Sequence, residues 1–268
     1  MKKSLYIVAV IVLLIVFGVS AFMVGSYFLE GKQQEEKFDD LAAQVQAAQE
    51  AAKQTTAATE DPEATEGETV PTTEGEPVMQ PGYAELHEQN PDMVGWIKIE
   101  GTKLDYPVMH TPDRRDFYLE HDFEGNKCAR GCIYMREDCD IFRPTDNITL
   151  YGHNMKDGSM FAALNAYVNK ETWENNSLIF FDNLYEYHVY QIFSVFTTTA
   201  SVGEGFPYHQ MEDAETEAEF TDFISTCKRL QLYETGITPV YGDKIICLST
   251  CEYSQENGRL VVAAVRIS

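Results

Sequence analysis

The chain has 268 residues, 44% of them hydrophobic, which is ample for one well-formed core and allows at most two domains. Its formal net charge of −23 argues against a nucleic-acid partner, because a phosphate backbone would be repelled. The acidity is uneven: residues 30–82 hold thirteen acidic side chains against three lysines.

Met1-Lys2-Lys3 is a basic head, and Leu5 to Leu29 follow as twenty-five residues without a charge. That run is long enough to span a bilayer with some tilt. Two lysines on one side and Glu30 on the other predict a single pass with the N-terminus cytoplasmic and the remainder extracellular. Val19-Ser20-Ala21 has the small-residue pattern of a signal-peptide cleavage site. The apolar run continues eight residues beyond Ala21, however, so the retained anchor over 1–29 is the favoured reading.

Residues 30–82 read as an acidic stalk. Phe38, Leu41, Val45, Ala48 and Ala52 fall at helical spacing, which predicts a solvated helix over 33–53 with a thin apolar stripe. From Gln54 to Gly82 the composition is Thr, Glu, Pro, Gly and Ala, with too little apolar surface to offset ordering entropy, so this part is expected to be disordered.

The globular part, 83–268, begins with a short helix over Tyr83–Gln89 that Asn90-Pro91 ends. Eight β-prone runs follow: Val94–Ile99, Tyr106–Met109, Cys132–Met135, Ile148–Tyr151, Ser177–Phe181, Tyr187–Thr197, Lys244–Thr250 and Leu260–Ile267. Their spacing and turn signals predict a mainly β fold, a closed antiparallel barrel. A helix capped by Ser159 and a longer one over Asp213–Leu232 interrupt it. The second has acids in its first turns, Lys228-Arg229 in its last, and a stripe of Phe220, Phe223, Ile224, Cys227 and Leu230.

Six cysteines all lie in the globular part. Cys227 and Cys247 sit on apolar patterns and read as buried small hydrophobes. Cys128, Cys132 and Cys139 cluster without a nearby His at zinc spacing, so no metal site and no cofactor is implied, and a disulfide among them stays open.

Two segments carry chemistry. Asn147–Tyr151 is a strand running into Gly152-His153-Asn154-Met155, so His153 opens a loop, where catalytic groups are usually displayed. Lys244–Thr250 and Leu260–Ile267 are strands joined by a polar stretch that closes on Asn257-Gly258, a turn signal. This hairpin puts Cys251 at the end of one strand and Arg259 at the start of the next. An electropositive neighbour favours thiolate, the nucleophilic form, and a His within reach supplies acid and base for acyl transfer. A buried cysteine beside a surface arginine is the bland alternative for the pair taken alone.

Tyr151-Gly152-His153-Asn154-Met155-Lys156-Asp157-Gly158-Ser159-Met160-Phe161 and Leu248-Ser249-Thr250-Cys251, with Asn257-Gly258-Arg259, resemble the histidine and cysteine–arginine motifs of class B sortases. The resemblance extends through Val94-Gly95-Trp96-Ile97, Asp105-Tyr106-Pro107-Val108 and Phe117-Tyr118-Leu119, and covers roughly residues 83–268. It implies a sortase-type barrel with a long helix between strands six and seven. It also implies a membrane-anchored cysteine transpeptidase of a Gram-positive cell surface. Such an enzyme cleaves an Asn-Pro-x-Thr-type C-terminal sorting motif of secreted proteins and joins the Thr carboxyl to a peptidoglycan precursor amine. On this resemblance Cys251 is the nucleophile, His153 the acid and base, and Arg259 the oxyanion or substrate donor. Tyr118, Leu119, Thr199, Ser249 and Glu252 fall at substrate-groove positions. Arg115 stands where a small polar residue is expected, and Phe206 and Tyr208 read either as aromatic covers of the groove or as plain packing. A pilin polymerase with a Lys acceptor would use the same triad. A non-catalytic adhesin of the same fold is disfavoured by the intact triad. A papain-like protease is disfavoured because its Cys precedes its His and opens a helix.

Overall fold

The computed structural model describes residues 2–59, 78–201 and 203–268. Lys2–Thr59 form one uninterrupted helix, α1. The sequence permits this because its first proline is Pro62 and the second half is rich in the strong helix formers Ala, Gln and Glu. Residues 1–41 make one compact unit and residues 42–268 another. In the first unit, large apolar side chains from Ile11 to Leu29 are exposed, and the mean hydropathy of the most apolar window reaches 2.4. By length and composition this helix is able to cross a membrane. Helix also occupies Gln54–Thr59, where the composition suggested disorder. Residues 60–77, the rest of the expected linker except for its last residues, lie outside the described residues.

In the second unit Val45 is buried rather than solvated. The left-handed Gly82 turn lies so close to the helix that a Cβ there would meet Val45 Cα at 2.9 Å and Ala48 Cβ at 3.2 Å. After that turn comes a short helix, α2 (Tyr83–Gln89), and then the strands β1 (Met93–Lys98), β2 (Asp105–Met109), β3 (Ile133–Met135) and β4 (Asn147–Tyr151). A 3-10 stretch Phe161–Val168 and the short helix α3 (Lys170–Asn175) lead to β5 (Leu178–Asn183) and β6 (Val189–Thr199). The long helix α4 (Glu217–Leu230) then precedes β7 (Ile245–Cys251) and β8 (Gly258–Arg266).

The eight strands close in the order β1-β2-β3-β4-β7-β8-β6-β5. The barrel closes as expected, but it is mixed: β2–β3 and β4–β7 are parallel, while the other seams are antiparallel. A parallel neighbour needs a long crossover, and the excursion over residues 110–132 supplies one between β2 and β3.

On β7 and β8 both faces are buried, so they read as continuous apolar runs. One face carries Ile246 and Leu248, paired with Ala264 and Val262. The other carries Ile245, Cys247, Val261, Ala263 and Val265, which pack with Phe193, Phe196, Phe220, Phe223, Ile224 and Cys227. Helix α4 covers that face. It begins later than its acidic pattern suggests, because Thr216 is the cap, accepting from the Glu219 amide at 3.2 Å. Asp213 instead accepts from the Asp146 amide at 2.9 Å, ahead of β4. All six cysteines are free thiols. Cys227 and Cys247 are fully buried, and burial pushes the Cys139 thiol up to about 11.

The phenol of Tyr83 on α2 donates to Asp182 Oδ2 on β5 at 2.9 Å, and its ring stacks on Trp96 at 6.4 Å between centroids. Burial pushes the Asp182 carboxyl up to about 6, against the opposing bonds from Tyr83 and the His188 amide. The folded value lies above the unfolded one of about 3.9, so this group stabilises the fold most at low pH and its contribution is lost as pH rises through 6. Asp182→Asn should therefore raise the melting temperature relative to the parent at pH 7, with the advantage shrinking toward pH 4. Thermal melts at the two pH values check this, and a pH-independent difference would contradict the desolvation assigned to Asp182.

Candidate active site

Cys251 is the last residue of β7, on the same face as Cys247 and Ser249, just past the end of the cluster that α4 covers. Its cross-strand partner is Arg259. The intervening loop closes tightly, with Asn257 in the left-handed conformation at φ 53°. Gly258 is needed for space, since a Cβ there would run into the Glu252 carbonyl. The Arg259 guanidinium folds back on the turn, donating from Nη1 to the Gly258 carbonyl at 2.9 Å and the Asn257 carbonyl at 3.3 Å.

His153 arrives from the neighbouring strand. Because β4 and β7 are parallel, with Tyr151 opposite Ser249, both chains leave the sheet at the same end. Gly152 N–H still donates to the Ser249 carbonyl at 3.3 Å, and Thr250 Oγ1 donates to the Gly152 carbonyl at 2.8 Å. The imidazole Nε2 lies 2.8 Å from the Leu119 carbonyl. A carbonyl only accepts, so Nε2 carries a proton and Nδ1 is the basic nitrogen of the neutral ring.

The loop after His153 closes on itself: Phe161 N–H donates to the His153 carbonyl at 3.0 Å. Asp157 Oδ1 accepts from Ser159 N–H and Oγ–H at 3.1 and 2.7 Å. The buried Arg130 donates to Ser159 Oγ at 2.7 Å and pairs with Asp157. Ser159 thus serves this clasp and is not the side-chain cap of a helix, and the stretch that follows is 3-10 rather than α. Partial burial opposes ionisation of Asp157, but the Ser159 bonds and the Arg130 guanidinium outweigh it and hold the carboxyl below its usual range.

His153, Cys251 and Arg259 line one cavity of about 350 Å3. Leu119 and Ser249 line it too. Ser249 is occupied by Tyr208, whose phenol lies 2.6 Å from its hydroxyl. Burial pushes that phenol up to about 12. Tyr208 is therefore a buried wall between the cavity and the α4 cluster, not an exposed cover. Phe206 packs against Phe196 and Phe223 at 5.9 and 5.6 Å between ring centroids, as part of the same cluster.

Three of the residues expected at the groove point elsewhere. Tyr118 is buried, with its phenol donating to Asp92 at 2.9 Å and accepting from Asn90 at 2.8 Å. Adjacent residues of the 3-10 turn Phe117–Leu119 face different ways, so Leu119 takes the cavity side. Thr199 Oγ1 donates to the Glu256 carbonyl at 3.1 Å and braces the β7–β8 loop. Glu252 accepts from Ser254 N–H and Oγ–H at 2.8 and 2.7 Å inside that loop.

Apart from Arg115, nothing in the sequence marks the cavity's polar end. Arg115 pairs with Glu137 at 3.2 Å and Asp116 at 3.5 Å, and Tyr134 donates to Asp116 at 2.8 Å. His209 stands beside them. Burial, then Arg136 and Arg115, hold its imidazole below the usual range. These residues come from separate loops and strands with no local motif to mark them.

The comparisons with known proteins agree with this architecture. The sortase domain family matches residues 97–267. Sortase B of Staphylococcus aureus is 34% identical over 188 residues, covering 69% of this chain and 75% of the relative. Sortase B of Listeria monocytogenes is 35% identical over 185 residues, covering 66% and 71%. Among solved structures, a Staphylococcus aureus sortase B–substrate complex matches with a TM-score of 0.72 at 29% identity, covering 90% of this chain and 99% of that one. Bacillus anthracis sortase B in complex with AAEK1 matches with a TM-score of 0.69 at 27% identity, covering 90% and 99%.

Gly152 gives the packing a direct test. A Cβ there would meet Ile133 Cδ1 at 2.5 Å and Phe161 Cδ2 at 2.8 Å, both buried. Overpacking of this kind costs about 1–3 kcal/mol. Gly152→Ala should lower the melting temperature by several degrees and displace the adjacent His153, which calorimetry and turnover would register together.

Proposed function

Given that the chain belongs to the sortase family and is a class B cysteine transpeptidase of the cell surface, we propose that it is a membrane-anchored enzyme cleaving an Asn-Pro-x-Thr-type sorting signal and joining the Thr carboxyl to a peptidoglycan precursor amine. The observation that carries this reading is the convergence of Cys251, Arg259 and His153 on one cavity from a hairpin and a neighbouring parallel strand.

In this reading the Cys251 thiolate attacks the Thr carbonyl carbon, and the developing oxyanion is met by the Arg259 guanidinium, a fixed charged donor in a partly dry site. Arg259 cannot be the base, because it stays protonated. His153 in its protonated form delivers a proton from Nδ1 to the departing amine, leaving a thioacyl enzyme. The neutral ring then takes a proton from the incoming amine as it attacks the thioester, and Cys251 leaves as the thiolate. Leu119 is the substrate contact favoured by its position on the cavity wall, and Ser249, buried and held by Tyr208, backs that wall. The apolar run of α1 is the anchor, with the N-terminus cytoplasmic and the catalytic domain outside. That a Staphylococcus aureus sortase B of the same fold has been solved as a substrate complex supports a donor substrate bound at this site. A pilin-type Lys acceptor is separated from a cell-wall amine by offering both to the thioacyl enzyme and weighing the products.

The roles divide in mutants. Cys251→Ala should form no thioacyl adduct and turn over at background. His153→Ala should lose turnover while small alkylating agents still label Cys251. Arg259→Lys keeps the charge but loses the planar fork, so activity should fall about ten- to hundred-fold, as expected for one charge-assisted hydrogen bond. Full activity in Arg259→Lys would refute the oxyanion or clamping role.

Topology is tested in cells. The full-length protein should fractionate with membranes, and external protease should release a globular fragment by cutting between Gln54 and Pro81. A mature N-terminus at Phe22 would show instead that the apolar run is a cleaved signal peptide.

A further inference from the structure

The parallel ladder of β4 and β7 ends at Tyr151 and Ser249, yet the two chains stay joined beyond it through side chains. Thr250 Oγ1 reaches the Gly152 carbonyl, and one step further Asn154 Nδ2 donates to the Cys251 carbonyl at 2.8 Å. That carbonyl can only accept, which decides the orientation of the Asn154 amide. Its Oδ1 then faces Asn165 Nδ2 at 2.7 Å, on the 3-10 stretch. Asn165 Nδ2 also donates to the Ala162 carbonyl at 3.0 Å, and Asn165 Oδ1 lies 3.3 Å from Asn154 Nδ2. Two amides thus satisfy each other, and the remaining donor is aimed at Cys251.

The bond acts on a particular peptide unit. The C=O of Cys251 is held by Asn154, and the N–H of Glu252, in the same plane, donates to the Gly258 carbonyl at 2.9 Å. One end is pinned from the His153 loop and the other from the Arg259 turn. With Cys251 itself held in the β7–β8 ladder, pinning that plane holds both backbone neighbours of its Cα, and these together set the direction in which the side chain leaves the sheet.

We propose that Asn154, oriented by Asn165, is a positioning residue for acyl transfer: through the Cys251 carbonyl it sets the thiol relative to the His153 ring. It acts through the Cys251 backbone, and the proposal rests on the catalytic reading of Cys251 and His153.

The test uses the full-length chain in detergent with a sorting peptide. Turnover by the parent that Cys251→Ala abolishes establishes the catalytic reading separately, so the Asn154 variants bear on this proposal alone. Asn154→Ala should lower kcat about tenfold, the loss of one hydrogen bond, with KM within about twofold. Asn154→Asp keeps the shape, but its ionised carboxylate offers no donor; protonation restores an O–H. Its kcat relative to the parent should therefore rise several-fold from about pH 8 to about pH 4, where an ordinary aspartate is about half protonated, a response that loss of packing would not produce. Asn165→Ala, which removes only the orienting partner, should cost about threefold in kcat. Parental kcat in Asn154→Ala, a loss confined to KM, or a pH-independent ratio in Asn154→Asp would each overturn the proposal. If Asn154→Ala does not fold, parental kcat in Asn165→Ala overturns it.

Discussion

The parallel pairing of β4 with β7 is the constraint on which the site depends. Parallel strands end at the same edge of a sheet, so the loop that follows β4 and the last residue of β7 emerge side by side. Antiparallel pairing would have sent His153 and Cys251 to opposite ends of the barrel. The hairpin of β7 and β8 then adds Arg259 directly across from Cys251. One parallel seam and one antiparallel seam together bring the hairpin pair Cys251 and Arg259 beside His153, which lies far from them in sequence.

The same face of β7 and β8 serves two ends. Over most of its length it is sealed by α4 and its phenylalanines, and past Ser249 it opens into the cavity. Tyr208 marks the boundary, packing into the cluster while its phenol holds Ser249. The segment bearing it is tied down from below: the buried Asn147 Nδ2 donates to the Tyr208 and Met211 carbonyls at 3.0 and 2.9 Å, and Arg136 bonds the His209 carbonyl and Glu212. The cavity wall is thus an extension of the core, and the loop that carries it is fixed by donors from Asn147 and Arg136.

Around His153 polar groups hold the loop that follows β4. The Arg130–Asp157–Ser159 clasp shapes it, the Leu119 carbonyl sets the imidazole proton, and Gly152 lets the chain pass between Ile133 and Phe161. The barrel thereby presents the His153 loop in a geometry held by hydrogen bonds together with burial of Met160 and Phe161.

Local features of the sequence determined much of this. β-prone runs and turn residues mark all eight strands, the amphipathic stripe and charge placement mark α4, and the Cys251–Arg259 hairpin is written in adjacent strands closing on Asn257-Gly258. An uncharged run marks the helix able to cross a membrane. Tertiary structure alone decided which strands lie parallel, because register between distant segments depends on the whole packed barrel and not on any window. It also decided that Tyr118 turns inward, that Glu252 and Thr199 brace the β7–β8 loop, and that Phe206 and Tyr208 join the core. Neighbouring residues of one turn share a sequence signal but point in different directions, and only packing chooses between them. The polar end of Arg115, Glu137 and His209 is the extreme case. Three elements supply it, each ordinary alone, and closure of the barrel is what makes them neighbours.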